Sequence, residues 1–243
     1  MNKKNPYRRI LLKISGETIM GSKEFGIDPE ATHRTAEAIK KIHEQGMEVA
    51  IVIGGGNIFR GIRLSEAGMK RTPADNMGML ATIINGTALQ QGLQAIGCDA
   101  RVMSGLECPK VAESYNWRLA NEYLSSGEIV IFVGGTGSPY FTTDTAAALR
   151  ANEIHADILL KATKVDGVYD KDPMVYTDAV KYETIGYTQA LNEQLKVMDA
   201  AAFALCMDNS IPIFVFNMEH LFEGSLSEIL ITKKHGTLVG ESP

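Results

Sequence analysis

The chain has 243 residues, 45% of them hydrophobic, with 24 Lys and Arg against 29 Asp and Glu, a formal charge of -5 and a pI near 5.6. That length and apolar content suit one large α/β unit or two small ones, and the lack of a basic surplus excludes a nucleic-acid scaffold. Cys98, Cys108 and Cys206 show no CxxC spacing, which argues against a disulfide framework or zinc site and for a reducing cytoplasm; the apolar runs are too short for a signal peptide or membrane span.

Arg9 to Ile14 reads as the first strand, closing on Lys13-Ile14-Ser15-Gly16. A helix follows, capped by Asp28, with Pro29 at its first position, a stripe of Ala31, Thr35, Ala38, Ile39 and Ile42, and Gly46 behind it. Val49 to Ile53 is a second strand and runs into Gly54-Gly55-Gly56-Asn57. The next helix spans about Asp75 to Ile96, with Met77, Leu80, Ala81, Ile84, Ala88 and Gln91 on one face. Strands at Ala100 to Met103 and Ile129 to Val133 come next, the latter ending on Gly134-Gly135-Thr136-Gly137-Ser138. A helix starts at Thr143 or Asp144, a strand covers Ile158 to Leu160, and Asp166-Gly167 reads as a type I′ hairpin turn between Val165 and Val168. A small-residue helix at Lys196 to Met207 and a strand at Ile211 to Phe216 complete the pattern. Strands alternating with helices predict parallel pairing through crossovers, and strands apolar on both faces predict a sheet covered on both sides.

Three strand ends followed by glycine can line one crevice at the carboxyl edge of such a sheet. Glycine lets backbone N–H groups reach an anion, and a following helix adds its positive end, so the pattern points to a polyphosphate. A single GGG would equally serve as a tight turn. The dinucleotide fingerprint fails because Phe59 stands where its third glycine belongs, and no glycine-lysine pair precedes Ser or Thr as a Walker A loop requires. Lys13 closes a buried strand where an ammonium needs an anionic partner, although a strand-end lysine also reaches solvent readily. Arg60 offers a planar fork for phosphate, and Thr142, Thr143 and Asp144 stand at a helix start rich in contact-capable groups. Tyr169 can cover a base and Asp172 can accept from ribose hydroxyls, or Asp172 can simply make a turn before Pro173.

LLKISGE, VIGGGNIFRG, DNMGMLAT, GTGSPYFTTDTAA, LLKATKVDGVYDKDP and LKVMDAAAF occur in an order and spacing that resemble the bacterial UMP kinase family of the amino acid kinase superfamily, from about Arg9 to Gly240. The resemblance implies a three-layer αβα sandwich around a mostly parallel, eight-stranded sheet, in one domain over 1–243. Its first part would bind mainly UMP and its part from about 150 mainly ATP. It implies a cytoplasmic homohexamer that moves the γ-phosphoryl of ATP, bound with Mg²⁺, to UMP. It assigns catalysis to Lys13, Asp144 and Lys196. Lys13, Ile14, Ser15, Gly16, Gly56, Arg60, Thr163, Tyr169 and Asp172 fall on the ATP side. Gly55, Asp75, Thr136, Gly137, Ser138, Pro139, Tyr140, Phe141, Thr142 and Thr143 fall on the UMP side. It further implies GTP as activator and UTP as inhibitor, with Gly21, Ser22, Lys23, Glu24, Phe25, Gly26, Arg101 and Trp117 as candidate effector residues. Ser138 and Tyr140 replace the Asn and Phe of some members, and Gln90, Gln91 and Gln94 stand where a charged set would support the GTP site. Two other readings remain: a superfamily phosphotransferase with a carboxylate or carbamate acceptor, and a nucleotide-sensing regulator without catalysis.

Overall fold

The computed structural model describes residues 6–59, 68–195, 197–223 and 226–240. Eleven strands lie among them: β1 (Arg9–Ile14), β2 (Glu48–Ile53), β3 (Ala100–Ser104), β4 (Glu113–Ser114), β5 (Ile129–Val133), β6 (Ile158–Thr163), β7 (Val168–Tyr169), β8 (Lys181–Tyr182), β9 (Thr184–Gly186), β10 (Ile213–Asn217) and β11 (Gly236–Gly240). The helices are α1 (Pro29–His43), α2 (Arg71–Ala95), α3 (Trp117–Ser125), α4 (Thr143–Glu153), α5 (Tyr187–Asn192), α6 (Ala200–Asp208), α7 (Glu219–Phe222) and α8 (Leu226–Thr232), and a 3-10 turn spans Gly16–Ile19.

Nine strands form one sheet in the order β4-β3-β5-β2-β1-β6-β10-β11-β9, and β7 pairs with β8 outside it. All neighbours in the large sheet run parallel except β10 and β11. The sheet is therefore mostly parallel, as expected, with nine strands instead of eight; the edge strands β4 and β9 are only two and three residues long. Chain progression moves from β1 to β2 on one side and reaches β6 on the other, so the strand order reverses between β1 and β6. Open α/β sheets place ligands at the carboxyl edge of such a switch point.

Alternation along the strands builds two apolar layers. Ile10, Leu12, Ile14, Ile51 and Ile53 pack beneath α1, α2, α7 and α8 through Ile39, Leu89, Leu93, Leu221 and Ile229. Leu11, Ala50, Val52, Leu159 and Val215 face α3, α4, α5 and α6 through Leu124, Ala147, Ala190, Phe203 and Cys206. The result is an αβα sandwich. Alternation also sets the face of Lys13, which falls beside Leu11 on the α4 side.

Two expectations about elements require correction. In α2 the face carrying Met77, Leu80 and Ile84 points outward, whereas Ala81, Thr82, Ile83, Asn85, Gly86 and Leu89 are buried. The helix also starts at Arg71 after Lys70, so Asp75 lies inside its first turns and is no cap. Asp166-Gly167 is not a two-residue hairpin turn: Val168 pairs with Tyr182, and an eleven-residue connection joins β7 to β8.

Candidate active site

Lys13 of β1 and Lys161 of β6 are register partners on adjacent parallel strands. Both reach up to Asp144 in the first turn of α4, Lys13 Nζ at 3.0 Å from Oδ1 and Lys161 Nζ at 2.6 Å from Oδ2. Lys161 also donates to the Val197 carbonyl at 2.7 Å. All three side chains are about 15% exposed, so two ammonium groups share one nearly buried carboxylate. Burial alone would raise the Asp144 carboxyl, but Lys13 and Lys161 outweigh it and hold the group below its ordinary value. Burial lowers the Lys161 ammonium, with Asp144 opposing the shift and Lys13 reinforcing it. A site with two cations on one anion carries a local positive excess at a strand-edge crevice, a setting that attracts phosphate.

The helix start that presents Asp144 is fixed from two sides. Thr142 caps α4, accepting from the Asp144 and Thr145 N–H groups at 3.0 and 3.4 Å. The carboxylate of Asp199, which caps α6 by accepting from Ala202 N at 2.9 Å, also accepts from the hydroxyls of Thr142 and Thr145. Sequence reasoning assigned no role to Lys161 or Asp199. The signal for Lys161 was the internal echo of Leu11-Leu12-Lys13-Ile14-Ser15 in Leu159-Leu160-Lys161-Ala162-Thr163.

On one flank of the lysines a cavity of about 470 Å³ is lined by Lys161, Thr163, Tyr169, Asp172, Gln194 and Val197, among others. That volume is within the usual range for a small-molecule pocket. It gathers three residues expected on the donor side. Thr163 Oγ1 donates to the Val165 carbonyl at 2.7 Å, and Tyr169 donates to Asp166 Oδ1 at 2.5 Å, which pushes its phenol up to about 12. Lys181 pairs with the other Asp166 oxygen at 2.9 Å. Asp172 Oδ1 accepts from Met174 N at 2.9 Å, so this residue makes the turn and lines the cavity at once.

The glycine turns divide into two kinds. A Cβ on Gly16 would stand 2.7 Å from the Gly54 carbonyl and run into Asn57, and one on Gly55 would stand 2.8 Å from the Gly78 carbonyl of α2. Those two glycines are required by packing. A Cβ on Gly56 would meet no described atom within 4 Å, so close packing among the described residues does not demand a glycine there. Ser15 caps the 3-10 turn by accepting from Glu17 N at 3.2 Å, while the Ile14 side chain is fully buried and offers only its backbone.

Across from the lysines, Asp75 Oδ2 accepts from Tyr140 N at 2.8 Å and pairs with Arg71 Nε at 3.3 Å. Tyr140 has φ +72°, a left-handed conformation uncommon for a side-chain-bearing residue. Thr136 accepts from Ser138 N at 3.2 Å, and Gly137 with φ +82° lies against Gly105. The run Thr136, Gly137, Ser138, Pro139, Tyr140, Phe141, Thr142 and Thr143 is thus a shaped loop clasped by Asp75 and leading directly into Asp144. Tyr140 and Phe141 remain over half exposed.

Arg60 and Lys196 lie outside the described residues. Gly21, Ser22, Lys23, Glu24, Phe25 and Gly26 form a loop on the α1 side, with Gly26 hydrogen bonded to Asn57. Arg101 and Trp117 stand on the α3 side: Arg101 pairs with Glu128 at 2.5 Å and lies over the Tyr123 ring. The structure does not bring those two groups together within one chain.

The amino acid kinase family model matches residues 8–217. The chain is 59% identical over 234 residues to the uridylate kinase of Protochlamydia amoebophila (strain UWE25), covering 96% of this chain and 93% of the relative. Among solved structures, the UMP kinase from Ureaplasma parvum superposes with a TM-score of 0.90 at 41% identity, covering 97% of this chain and 99% of that one. The UMP kinase from Bacillus anthracis superposes with a TM-score of 0.92 at 37% identity and 98% coverage of both.

Proposed function

This chain belongs to the amino acid kinase family, and from that premise we infer how its site works as a UMP kinase: the γ-phosphoryl of ATP passes to the phosphate of UMP, giving UDP and ADP. The observation that carries the mechanism is the pair Lys13 and Lys161 held on Asp144 between the cavity at Thr163 and the loop at Asp75.

The acceptor is a phosphate oxygen. With its second pKa near ~6, UMP is mostly dianionic at neutral pH, so no protein base is needed to activate it. The difficulty is bringing two anions together in line. Lys13 and Lys161 offset that repulsion and stabilise the transferring phosphoryl, and Asp144 fixes where both ammonium groups stand. ATP lies on the Thr163, Tyr169 and Asp172 side, in the part of the chain from about residue 150; UMP lies against Gly55, Asp75 and the loop Thr136 to Thr143. Arg60 and Lys196 serve as further phosphate-binding cations.

The residues present fit a Mg²⁺ delivered on the nucleotide. Asp144 is already clasped by two ammonium groups, and among the described residues no three acidic, His or Cys side chains gather into a cage. Carried on the nucleotide, the ion would supply charge neutralisation beside Lys13 and Lys161.

The enzyme works in the cytoplasm as a homohexamer. In support, the three cysteines are unbridged, no helix among the described residues is long and apolar enough to cross a membrane, and α2 presents Met77, Leu80 and Ile84 outward as an apolar stripe. GTP activates and UTP inhibits; a GTP site that uses both the Gly21 to Gly26 loop and Arg101 with Trp117 lies between protomers. The test is ADP release from Mg-ATP with UMP, CMP, AMP, N-acetylglutamate and carbamate, with and without GTP. Turnover with UMP far above the rest is expected. Equal turnover with CMP, or none with UMP, overturns the reading.

A further inference from the structure

Beneath the glycine turns lies a polar element that the mechanism does not use. Asn57, 3% exposed, and Asn85, fully buried in the middle of α2, face each other through their amides. Asn57 Nδ2 donates to Asn85 Oδ1 at 3.1 Å, and Asn85 Nδ2 donates back to Asn57 Oδ1 at 2.6 Å. Each amide spends its second proton on a backbone carbonyl: Asn57 on Gly26 at 2.8 Å, Asn85 on Gly54 at 2.7 Å. Gly26 returns a bond from its N–H to the Asn57 carbonyl at 2.9 Å. The arrangement is closed, with every amide proton of the pair placed.

Its position is informative. One arm holds the first glycine of the Gly54-Gly55-Gly56 turn, whose N–H is bonded to the Ile14 carbonyl at 3.0 Å. The pair also forms the floor under Gly16, where a Cβ would lie 2.8 Å from Asn85 Nδ2. The other arm holds Gly26, the inner end of a loop whose residues 21–25 are exposed, Phe25 by 67%. Two buried asparagines in a core helix and a turn are expensive unless fully paired, and an apolar pair would pack as well. What an apolar pair cannot do is fix the spacing of two backbone turns.

We propose that the Asn57–Asn85 pair is a positioning device that sets the Gly54–Gly56 turn against Gly16 and couples both to the exposed Gly21 to Gly26 loop. This rests on the UMP kinase reading, in which those turns hold the two phosphates. A loop displacement that pulls on Gly26 then moves Asn57, and through Asn85 the Gly54 carbonyl, without any ligand touching the lysines. Misplacement of about 1 Å at reacting groups costs on the order of 100-fold in rate.

Asn57→Ala, Asn85→Ala, the double variant and Gly26→Ala test this in the full chain, alongside the parent. Gly26 has φ +85° and a Cβ there would meet no described atom within 4 Å, so alanine strains the loop attachment without crowding the described core. Steady-state kcat and KM for Mg-ATP and UMP, thermal unfolding and amide exchange at residues 21–26 are measured. Parent turnover of UMP tests the functional reading separately; the variants are compared only with the parent. The expected result is a kcat loss of about tenfold or more for each asparagine variant, with KM for both nucleotides within about threefold. The double variant falls no further than the worse single one, and Gly26→Ala gives faster loop exchange and a smaller kcat loss in the same direction. Folded asparagine variants with parent kcat overturn the proposal. If they do not fold, Gly26→Ala decides: unchanged kcat with faster loop exchange overturns it.

Discussion

Lys13 and Lys161 are register partners on adjacent parallel strands and end on opposite oxygens of one Asp144 carboxylate. Neither lysine is therefore placed by its own strand alone; the carboxylate spaces them, and the helix start beneath Thr142 and Asp199 spaces the carboxylate.

Removing Lys161 should resemble removing Lys13. Lys161→Met is expected to lower kcat by about 100- to 1000-fold, the usual loss for a charge-stabilising group, with a much smaller change in KM for UMP. The fold should survive, because Asp144 keeps Lys13. Initial rates and a thermal melt check both halves; a variant with parent kcat would take Lys161 out of the transfer step.

Asp144→Ala should behave differently. It leaves two nearly buried ammonium groups facing each other, and breaking a buried pair in this way typically costs about 3–5 kcal/mol. Chemical unfolding should show that loss, partly recovered by saturating Mg-ATP, which supplies the missing negative charge.

Burial lowers the Lys161 ammonium from its ordinary 10.5. The alkaline limb of kcat/KM should thus fall below pH 10.5, and Lys161→Met should abolish that limb in the residual rate. For stability the sign is opposite: the unfolded chain holds the proton up to 10.5, so the penalty of the buried ammonium is full at neutral pH and eases as pH rises through the folded value. Asp144 contributes at the other end, its stabilisation being complete above 3.8 and lost as pH falls through its lowered value. Unfolding free energy against pH for parent and Lys161→Met separates the two.

Gly55→Ala and Gly56→Ala should split stability from activity. The first forces a Cβ toward the Gly78 carbonyl and should lower the melting temperature clearly, an overpacking loss of about 1–3 kcal/mol. The second meets no described atom within 4 Å and should melt close to the parent while losing activity, the outcome expected if its methyl enters the space proposed for the phosphates.

The stripe Met77, Leu80 and Ile84 should be covered by another protomer. Leu80→Glu combined with Ile84→Glu is expected to shift the particle to a smaller species in light scattering while leaving circular dichroism unchanged.

Much of this was legible in the chain. The edges of β1 and β5, the Asp28 cap and the convergence of three glycine turns all follow from local pattern, because parallel strands buried on both faces read as unbroken apolar runs. The face of α2 did not, since its buried side is built from Thr82, Asn85 and Gly86 and its outer side from Met77, Leu80 and Ile84. Hydrophobicity there does not mark the face that meets this chain's core. Lys161 was missed for a related reason: an apolar criterion ends the strand at Leu160, whereas β6 continues through the lysine to Thr163. Gly55 was placed against the acceptor, but the close approach of α2 already demands a glycine there, so its identity carries no separate information about the ligand.

The nine-stranded order puts β1 fifth and β6 sixth, at the middle of the sheet, while the loop around Tyr140 and the β7–β8 ribbon lie outside it. Central strands open only with the whole fold, and peripheral loops open at far lower free energy. The lysine pair thus sits in the strands that open last, and the outer loop and ribbon belong to the parts that open first. On the UMP kinase reading, substitutions at Tyr140 or in the ribbon should shift nucleotide preference at less cost to the lysine pair than changes in β1 or β6.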